Sequence, residues 1–421
     1  MTVRVVSAPW VLPGLAEGPS GLAAEPIADG AVVLEGDTVV AVGPRPLIEP
    51  RYGAGDRIDA VLLPALVNAH LHLEVSHLSG RVPGGSGLPS WIQLFVSARA
   101  RAAAAEAPAL ACAMAVEDMV LHGVAAIGDV SNSLDPLPVL AAHGLAGTVF
   151  HEVFGLAPER LAAALSAADA ALARHGPPPA GLRVVRTPHA IYSTPLDAIA
   201  ALLDAGPGSI HLAEDPAERQ LCADGSGDFA RMFRALGVDL EAIRPRGRSA
   251  VALVAPHLRP QHLAVHCVDL DAEDVAALAA SGATAVLCPR SNLHIGGRLP
   301  PLPQLLDAGV PLAVGTDSLA SSPSLAPLSE LAALHKAFPE VPSSRLMPLA
   351  WNGAAVGAPH VGRLAPGRAP GLLAAPLRGM LALQLSMLDV DPFEYLVLAH
   401  GAEERPFDWV ARQRPGAEVV A

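Results

Sequence analysis

Lysine is all but missing from this chain: of 28 basic residues in 421, Lys336 alone is a lysine. The formal net charge is −13, so a phosphate backbone is repelled and nucleic acid is not an expected partner. Cysteine is scarce too. Cys112, Cys222, Cys267 and Cys288 stand far apart with no Cys-x-x-Cys, which argues against a disulfide framework and against a cysteine-built zinc site. Reduced thiols of this kind fit a cytoplasmic protein. No uninterrupted apolar run reaches the ~18 residues of a membrane span, and residues 1–10 lack a basic stretch followed by an apolar one, so neither a membrane nor export is expected. Charged residues make up only 16% of the chain and hydrophobic ones 51%, a composition that buries a large core.

At 43.0 kDa the chain exceeds one typical core, so a large domain with a smaller companion is the default expectation. Val-rich runs at 3–11, 30–42 and 59–63, with a Glu35-Gly36-Asp37 turn inside the second, predict a small antiparallel sheet at the N-terminus. After Pro64 the texture changes to apolar, strand-sized pieces alternating with Ala-rich helical stretches such as 99–122 and 158–175. Strands are expected at 65–70, 125–129, 147–152, 182–187, 209–214, 263–268, 283–288 and 311–315. Alternation of this kind means parallel strands, and eight of them predict a (β/α)8 barrel. Segment 215–251 reads as a long connection that forms part of a lid. Short β-like runs at 371–377, 395–399 and 409–413 are expected to complete the N-terminal sheet. The expected fold is thus α/β: a (β/α)8 barrel at 64–362, and a small β-sandwich-like domain made of 1–63 and 363–421.

In a barrel of this type the catalytic groups come from the C-terminal strand ends, and polar residues collect there in this chain. They are His70 and His72, Asp129, His151 and Glu152, His189, His211 and Glu214, His266, Arg290, and Asp317. His70 and His72 alternate with Leu71 and so point the same way from a strand, where two imidazoles can chelate. His-x-His alone is as readily two unrelated histidines. Its company decides the matter, because a barrel that was only structural has no reason to gather imidazoles and carboxylates on one rim. His211 is followed by Leu212-Ala213-Glu214, a ligand type one short step from an acid/base type. Neutral imidazoles with a carboxylate such as Asp317 suit one divalent ion, zinc or ferrous iron, with a position left for water.

The series Pro64-Ala65-Leu66-Val67-Asn68-Ala69-His70-Leu71-His72-Leu73-Glu74, Pro188-His189, His211-Leu212-Ala213-Glu214, His266, Cys288-Pro289-Arg290-Ser291-Asn292 and Gly315-Thr316-Asp317-Ser318 resembles the amidohydrolase superfamily in its nucleobase and nucleoside deaminase branch, over residues from about 60 to about 370. The resemblance implies His70, His72, His211 and Asp317 as metal ligands. It implies Glu214 as proton shuttle, His266 as the group that orients the attacking water, and His189 as a substrate contact. It also implies a small heterocyclic amine as substrate and ammonia as product, with a homodimer compatible. The superfamily's other main branch bridges two metals with a carboxylated lysine on the fourth strand. That strand ends here in His189, and Lys336 lies beyond the eighth, so a mononuclear site is expected.

Glu74-Val75-Ser76, Trp91-Ile92-Gln93-Leu94-Phe95 with Arg99, and Ser318-Leu319-Ala320-Ser321-Ser322-Pro323-Ser324-Leu325 look like the aminofutalosine deaminase group of menaquinone biosynthesis. That likeness implies an adenine nucleoside carrying a benzoate, with Glu74, Trp91, Arg99 and Arg290 as substrate contacts. Arg99 or Arg290 would hold the carboxylate, although an arginine at a strand end is as readily a structural brace. The alternatives are deamination of S-adenosylhomocysteine, guanine or pterin compounds, a chlorohydrolase or amide hydrolase of the same superfamily, and a barrel without catalysis. Ala369-Pro370-Gly371-Leu372 stands where relatives usually carry an Ala-Asp pair, and the chain after about 375 departs from the pattern.

Overall fold

The computed structural model describes residues 3–18, 21–102, 108–238, 245–387 and 391–412. Val3–Val11 (β1), Ile27–Glu35 (β2), Thr38–Pro44 (β3), Asp56–Arg57 (β4) and Ala60–Pro64 (β5) realise the Val-rich N-terminal runs. The β2–β3 hairpin turns at Gly36 and Asp37, where Gly36 has φ 59°, a conformation that costs glycine little.

Eight parallel strands follow: Leu66–Leu71 (β6), Val124–Val130 (β7), Ala146–Val153 (β8), Leu182–Pro188 (β9), Gly208–Leu212 (β10), His262–His266 (β11), Thr284–Leu287 (β12) and Leu312–Val314 (β13). Each covers most of a segment expected from the sequence. Most of these strands are buried along their whole length, which is why they read as unbroken apolar runs rather than alternating ones. They pair in two four-stranded sheets, β6-β7-β8-β9 and β10-β11-β12-β13. Parallel bridges join the two at both seams, Ala190 to His211 and Leu71 to Asp317. Glu214 lies two residues beyond the end of β10 rather than within a strand.

Leu372–Pro376 (β14) and Asp408–Ala411 (β15) close the list. Both ends of the chain share one seven-stranded sheet in the order β15-β14-β5-β1-β2-β3, with β4 beside β1. The sheet is mixed rather than purely antiparallel, since β1 runs parallel to β4 and β5. One face buries Val6, Val32, Leu62 and Leu372, and the other packs Val5 and Val33 against Ile48 of the helix Arg45–Tyr52, so a single sheet replaces the expected sandwich.

A further expectation fails. Residues 395–399 are helical, the helix Pro392–Leu396 running on into a π-turn at Val397–Ala402. Phe393, Tyr395, Leu396, Val397, Ala399 and His400 are all buried, so the segment lacks the polar face that marks a surface helix, and its apolar run imitates a strand. The long connection after β10 holds the helices Pro216–Asp224, Gly227–Ala235 and Ala250–Val254. The helix Pro158–His175 has the expected bounds, whereas 99–122 divides into the end of Leu88–Ala102 and Pro108–Leu121, with 103–107 outside the described residues. Residue 413, the last of the third C-terminal run, also lies outside them. No helix among the described residues is long and apolar enough to cross a membrane.

Candidate active site

His70, in β6, and His72, just past its end, bring their Nε2 atoms to 3.1 Å from each other, with the rings edge-on. His211 of β10 sets its ring centroid 4.9 Å from His70 and 5.6 Å from His72. One nitrogen from each of these three imidazoles falls within 4.8 Å of the others, close enough to share an ion. Asp317 follows β13 and turns Oδ1 to 3.4 Å from His72 Nε2 and 4.0 Å from His70 Nε2. The backbone enforces this meeting: the N–H groups of Thr316 and Asp317 both donate to the His70 carbonyl at 3.0 Å. Ser291 Oγ donates to Asp317 Oδ2 at 2.6 Å and the Ser318 N–H to Oδ1 at 2.7 Å, which aims the carboxylate.

Glu214 and His266 stand beside this group with Oε2 and Nε2 3.6 Å apart. Asn292 Nδ2 lies 3.0 Å from His266 Nδ1, whereas His266 Nε2 is buried without a hydrogen-bond partner. His189 bonds through Nδ1 to Ser193 Oγ at 2.7 Å and rests 4.8 Å from the His211 ring. Ala213, His266, Cys267 and Asp317 all have φ between 52° and 78°. Non-glycine residues in this region cost about 1–3 kcal/mol each and collect where a site is over-determined by its surroundings.

Burial holds His70 well below the usual imidazole range and lowers His72 as well; His189 falls to about 4 and His266 to about 3 for the same reason. Neutral rings are what metal ligation requires. Burial pushes Asp317 up, but His72, His266 and the Ser291 hydroxyl outweigh it and hold the carboxylate below its ordinary value. For Glu214 burial wins, and its carboxyl is held well above the usual range. Burial also disfavours charge on His211, yet its contact with Glu152 prevails and raises it to about 9. His70 and His72 are thus ready to ligate, a bound metal would displace the proton from His211, and three imidazoles with one ionised carboxylate form a donor set that fits a divalent metal.

The further substrate contacts expected from the sequence, Glu74, Trp91, Arg99 and Arg290, fall outside this group. Glu74 Oε2 accepts from Ser131 Oγ at 3.2 Å and from the Asn132 and Ser133 N–H groups at 2.9 Å, fixing the turn after β7. Arg99 is half exposed, its guanidinium 3.5 Å from Glu74 Oε1. Trp91 is buried in an apolar cluster with Leu78, Tyr192 and Phe229 and stacks on Phe95. Arg290 turns away, its guanidinium held by Glu330, Glu404 and Ser324. Glu218 was not singled out in the sequence. It is fully buried, and its Oε2 accepts the Glu214 N–H at 3.1 Å, so it holds the peptide that carries Glu214. The sign of it was Asp215-Pro216-Ala217-Glu218: Asp215 caps the helix that starts at Pro216, and an acid three residues past a cap reaches back over the helix start.

The sequence profile of the Amidohydrolase family matches residues 61–377, three quarters of the chain. The chain belongs to the amidohydrolase family. Aminodeoxyfutalosine deaminase of Deinococcus radiodurans is 30% identical over 339 residues, covering 74% of this chain and 77% of that protein. A 5-methylthioadenosine/S-adenosylhomocysteine deaminase of Nitratidesulfovibrio vulgaris is 28% identical over 370 residues, or 81% of this chain and 78% of the relative. The crystal structure of Helicobacter pylori aminofutalosine deaminase in complex with methylthio-coformycin superposes with a TM-score of 0.78 at 21% identity, over 96% of this chain and 97% of that one, and shows the shared fold. The resemblance read from His70-Leu71-His72, His211, Glu214, His266 and Asp317 thus names the right family. This amidohydrolase is a hydrolase of C–N bonds other than peptide bonds.

Proposed function

We propose that the chain is a metal-dependent hydrolytic deaminase of an aminated purine nucleoside or nucleobase, with aminofutalosine of menaquinone biosynthesis as its substrate. The pairing of Glu214 with His266 carries this reading: a buried carboxyl with high proton affinity stands 3.6 Å from a buried neutral nitrogen that has no protein partner, beside His70, His72, His211 and Asp317. Those four side chains would hold one divalent ion, zinc or ferrous iron, on the rim of a (β/α)8 barrel, a reading that the parallel bridges at both seams support. When bound, the ion supplies a water acidified enough to react near neutral pH.

Glu214 takes one proton from the attacking water and passes it to the ring nitrogen next to the reacting carbon, then takes the second from the newly added hydroxyl and delivers it to the departing exocyclic amine. The high proton affinity that burial gives the carboxyl suits a group that must both accept and release. His266 Nε2 orients the incoming oxygen, and Asp317 accepts a hydrogen bond from it. A C–O bond forms, the C–N bond breaks and the nitrogen departs as ammonia, so water is the only co-reactant. His189 faces the substrate side, flanked by Tyr192 and by half-exposed Phe154. With Arg290 closed off, Arg99 is the cation left for a substrate carboxylate. The 28%-identical relative favours methylthioadenosine or S-adenosylhomocysteine as the second reading.

The test is ammonia release from purified protein with aminofutalosine, methylthioadenosine, S-adenosylhomocysteine, adenosine, guanine and a pterin, alongside metal analysis. The expected result is one ion per chain and a kcat/KM for aminofutalosine at least about tenfold above the rest, a margin that a few pocket contacts supply. Asp317→Ala is expected to lose both metal and ammonia release. Protein that carries one ion and releases ammonia from none of these compounds overturns the reading.

A further inference from the structure

His211 has two ring nitrogens, and both are accounted for. Nδ1 lies 3.2 Å from Glu152 Oε1 and 3.2 Å from the His189 carbonyl oxygen. Both are acceptors, so the N–H of a neutral ring belongs on Nδ1. That leaves the lone pair on Nε2, the nitrogen available to the cluster of His70 and His72. Glu152 is itself held. It ends β8, its backbone N–H donates to Asn132 Oδ1 at 2.8 Å, and the Asn132 N–H donates to Glu74 Oε2 at 2.9 Å. A continuous hydrogen-bonded path thus runs from the residue two beyond His72, through the turn after β7, to the ring of His211. The carboxylates of Glu152 and Glu74 are both largely buried, so solvent does not compete strongly for either.

We propose that Glu152 is the positioning residue of this site. It fixes the tautomer and ring orientation of His211 so that Nε2 faces the metal, and Glu74 and Asn132 hold Glu152 in place. This rests on reading His211 as a metal ligand. A carboxylate behind a ligating imidazole raises its basicity and keeps the ring from turning, and losing such a partner typically costs 10- to 100-fold in metal affinity.

The same atoms admit a competing arrangement. Glu152, His189 and His211 also bring one ligand atom each within 4.8 Å, which would make Glu152 a ligand to a second ion. The geometry argues against it, because the His211 nitrogen nearest Glu152 would have to bind metal with the same atom that carries the N–H toward Glu152 and the His189 carbonyl.

The experiment compares wild type, Glu152→Gln and Glu152→Ala as full chains. Zinc stoichiometry and dissociation constant are read by chelator competition, and the imidazole ¹⁵N resonances of the zinc-loaded proteins report the His211 tautomer. Neither readout needs the substrate. One zinc per chain in all three is expected, with the dissociation constant raised about 10- to 100-fold in Glu152→Ala and less in Glu152→Gln, whose amide oxygen still accepts from Nδ1. The His211 resonances should show a fixed Nδ1–H form in wild type and lose it in Glu152→Ala. Glu152→Gln keeps the side-chain volume, so it separates an effect on His211 from a failure to fold. Unchanged affinity and tautomer in both variants overturn the proposal, as do two zincs in wild type with one lost on substitution, or no zinc in wild type at all. Wild type that binds one zinc and releases no ammonia instead overturns the proposed reaction, and the dissociation constants still decide the role of Glu152.

Discussion

Arg290 and Glu330 form a buried ion pair in which Nε donates to Oε1 at 2.6 Å and the Arg290 backbone N–H donates to Oε2 at 2.9 Å. The same guanidinium reaches Glu404 Oε1 at 2.7 Å and the Ser324 carbonyl at 2.8 Å, tying the end of β12 to the helix Pro327–Ala337 and to the C-terminal segment. Breaking such a pair from one side leaves a buried charge uncompensated, and Glu330 is completely buried. Arg290→Ala is therefore expected to lose about 3–5 kcal/mol of stability in urea unfolding. Its KM should change less than about twofold, because four of the guanidinium's five donors are already engaged by Glu330, Glu404 and Ser324. A large rise in KM without loss of stability would return Arg290 to the substrate pocket.

Gly315, one residue past β13, lies against the backbone of His70. A Cβ at this position would sit 2.7 Å from His70 Cβ, 2.8 Å from its carbonyl oxygen and 2.9 Å from its nitrogen. Two of those three atoms are main chain and cannot swing aside. Gly315→Ala is expected to push β6 and β13 apart where His70 and Asp317 meet, costing about 1–3 kcal/mol and weakening metal binding together. Thermal unfolding and zinc titration of the one variant check both halves. A change in stability with unaltered zinc affinity would mean the strain relaxes away from His70.

The eight parallel strands were legible because a strand buried on both faces reads as a short apolar run bounded by turn residues, and the polar residues at their ends were legible because parallel α/β folds place functional groups at the C-terminal strand ends. What the sequence hid depends on partners distant in the chain. Arg290 is claimed by Glu330 and Glu404, 40 and 114 residues away, and no local pattern announces either. Trp91 sits in an apolar cluster rather than against the site histidines, a choice between two environments that an aromatic residue fits equally. The segment around Tyr395 was misread for a different reason. Its Asp391-Pro392 start carries a helix signal, with Asp391 accepting the Glu394 N–H at 2.8 Å, but the buried surroundings erased the periodicity that would have confirmed it.

His400 gives the small sheet's end of the molecule a pH dependence of its own. Its ring stacks on Phe407 at 4.3 Å, Nδ1 lies 2.9 Å from the Arg405 carbonyl, and burial lowers its pKa to about 4. The unfolded chain takes up this proton below about 6.5 and the folded chain only below about 4, so the stability is fully present above 6.5 and is lost as pH falls through that window. At pH 5 the loss is about 2 kcal/mol. His400→Asn keeps a donor for the Arg405 carbonyl and removes the titration. Its unfolding free energy should therefore fall by about 2 kcal/mol less than that of wild type between pH 7 and pH 5. Equal falls in both proteins would show that His400 is not the group responsible.

Glu214 is the residue on which the proposed reaction turns, and two structural facts make its test a clean one. It is not among the side chains grouped for the metal, and its backbone N–H is anchored independently by Glu218 Oε2 at 3.1 Å, so a change at its carboxyl need not disturb its placement. Glu214→Gln keeps the size and the acceptor oxygen but cannot carry a proton. Metal content is expected to stay at the wild-type level while single-turnover ammonia release slows by about 10² or more, the usual order for removing a general acid/base. If the carboxyl were only a partner for a nearby cation, Arg219 would be the obvious one. Arg219, however, is already bound to Asp269 at 2.6 Å, Asp271 at 2.9 Å and Asp274 at 2.5 Å. An ion-pair role would also predict near-normal release with a modest change in stability. Measuring zinc and single-turnover release on one preparation of Glu214→Gln decides between the two, and near-normal release with zinc retained would remove Glu214 from the proton path.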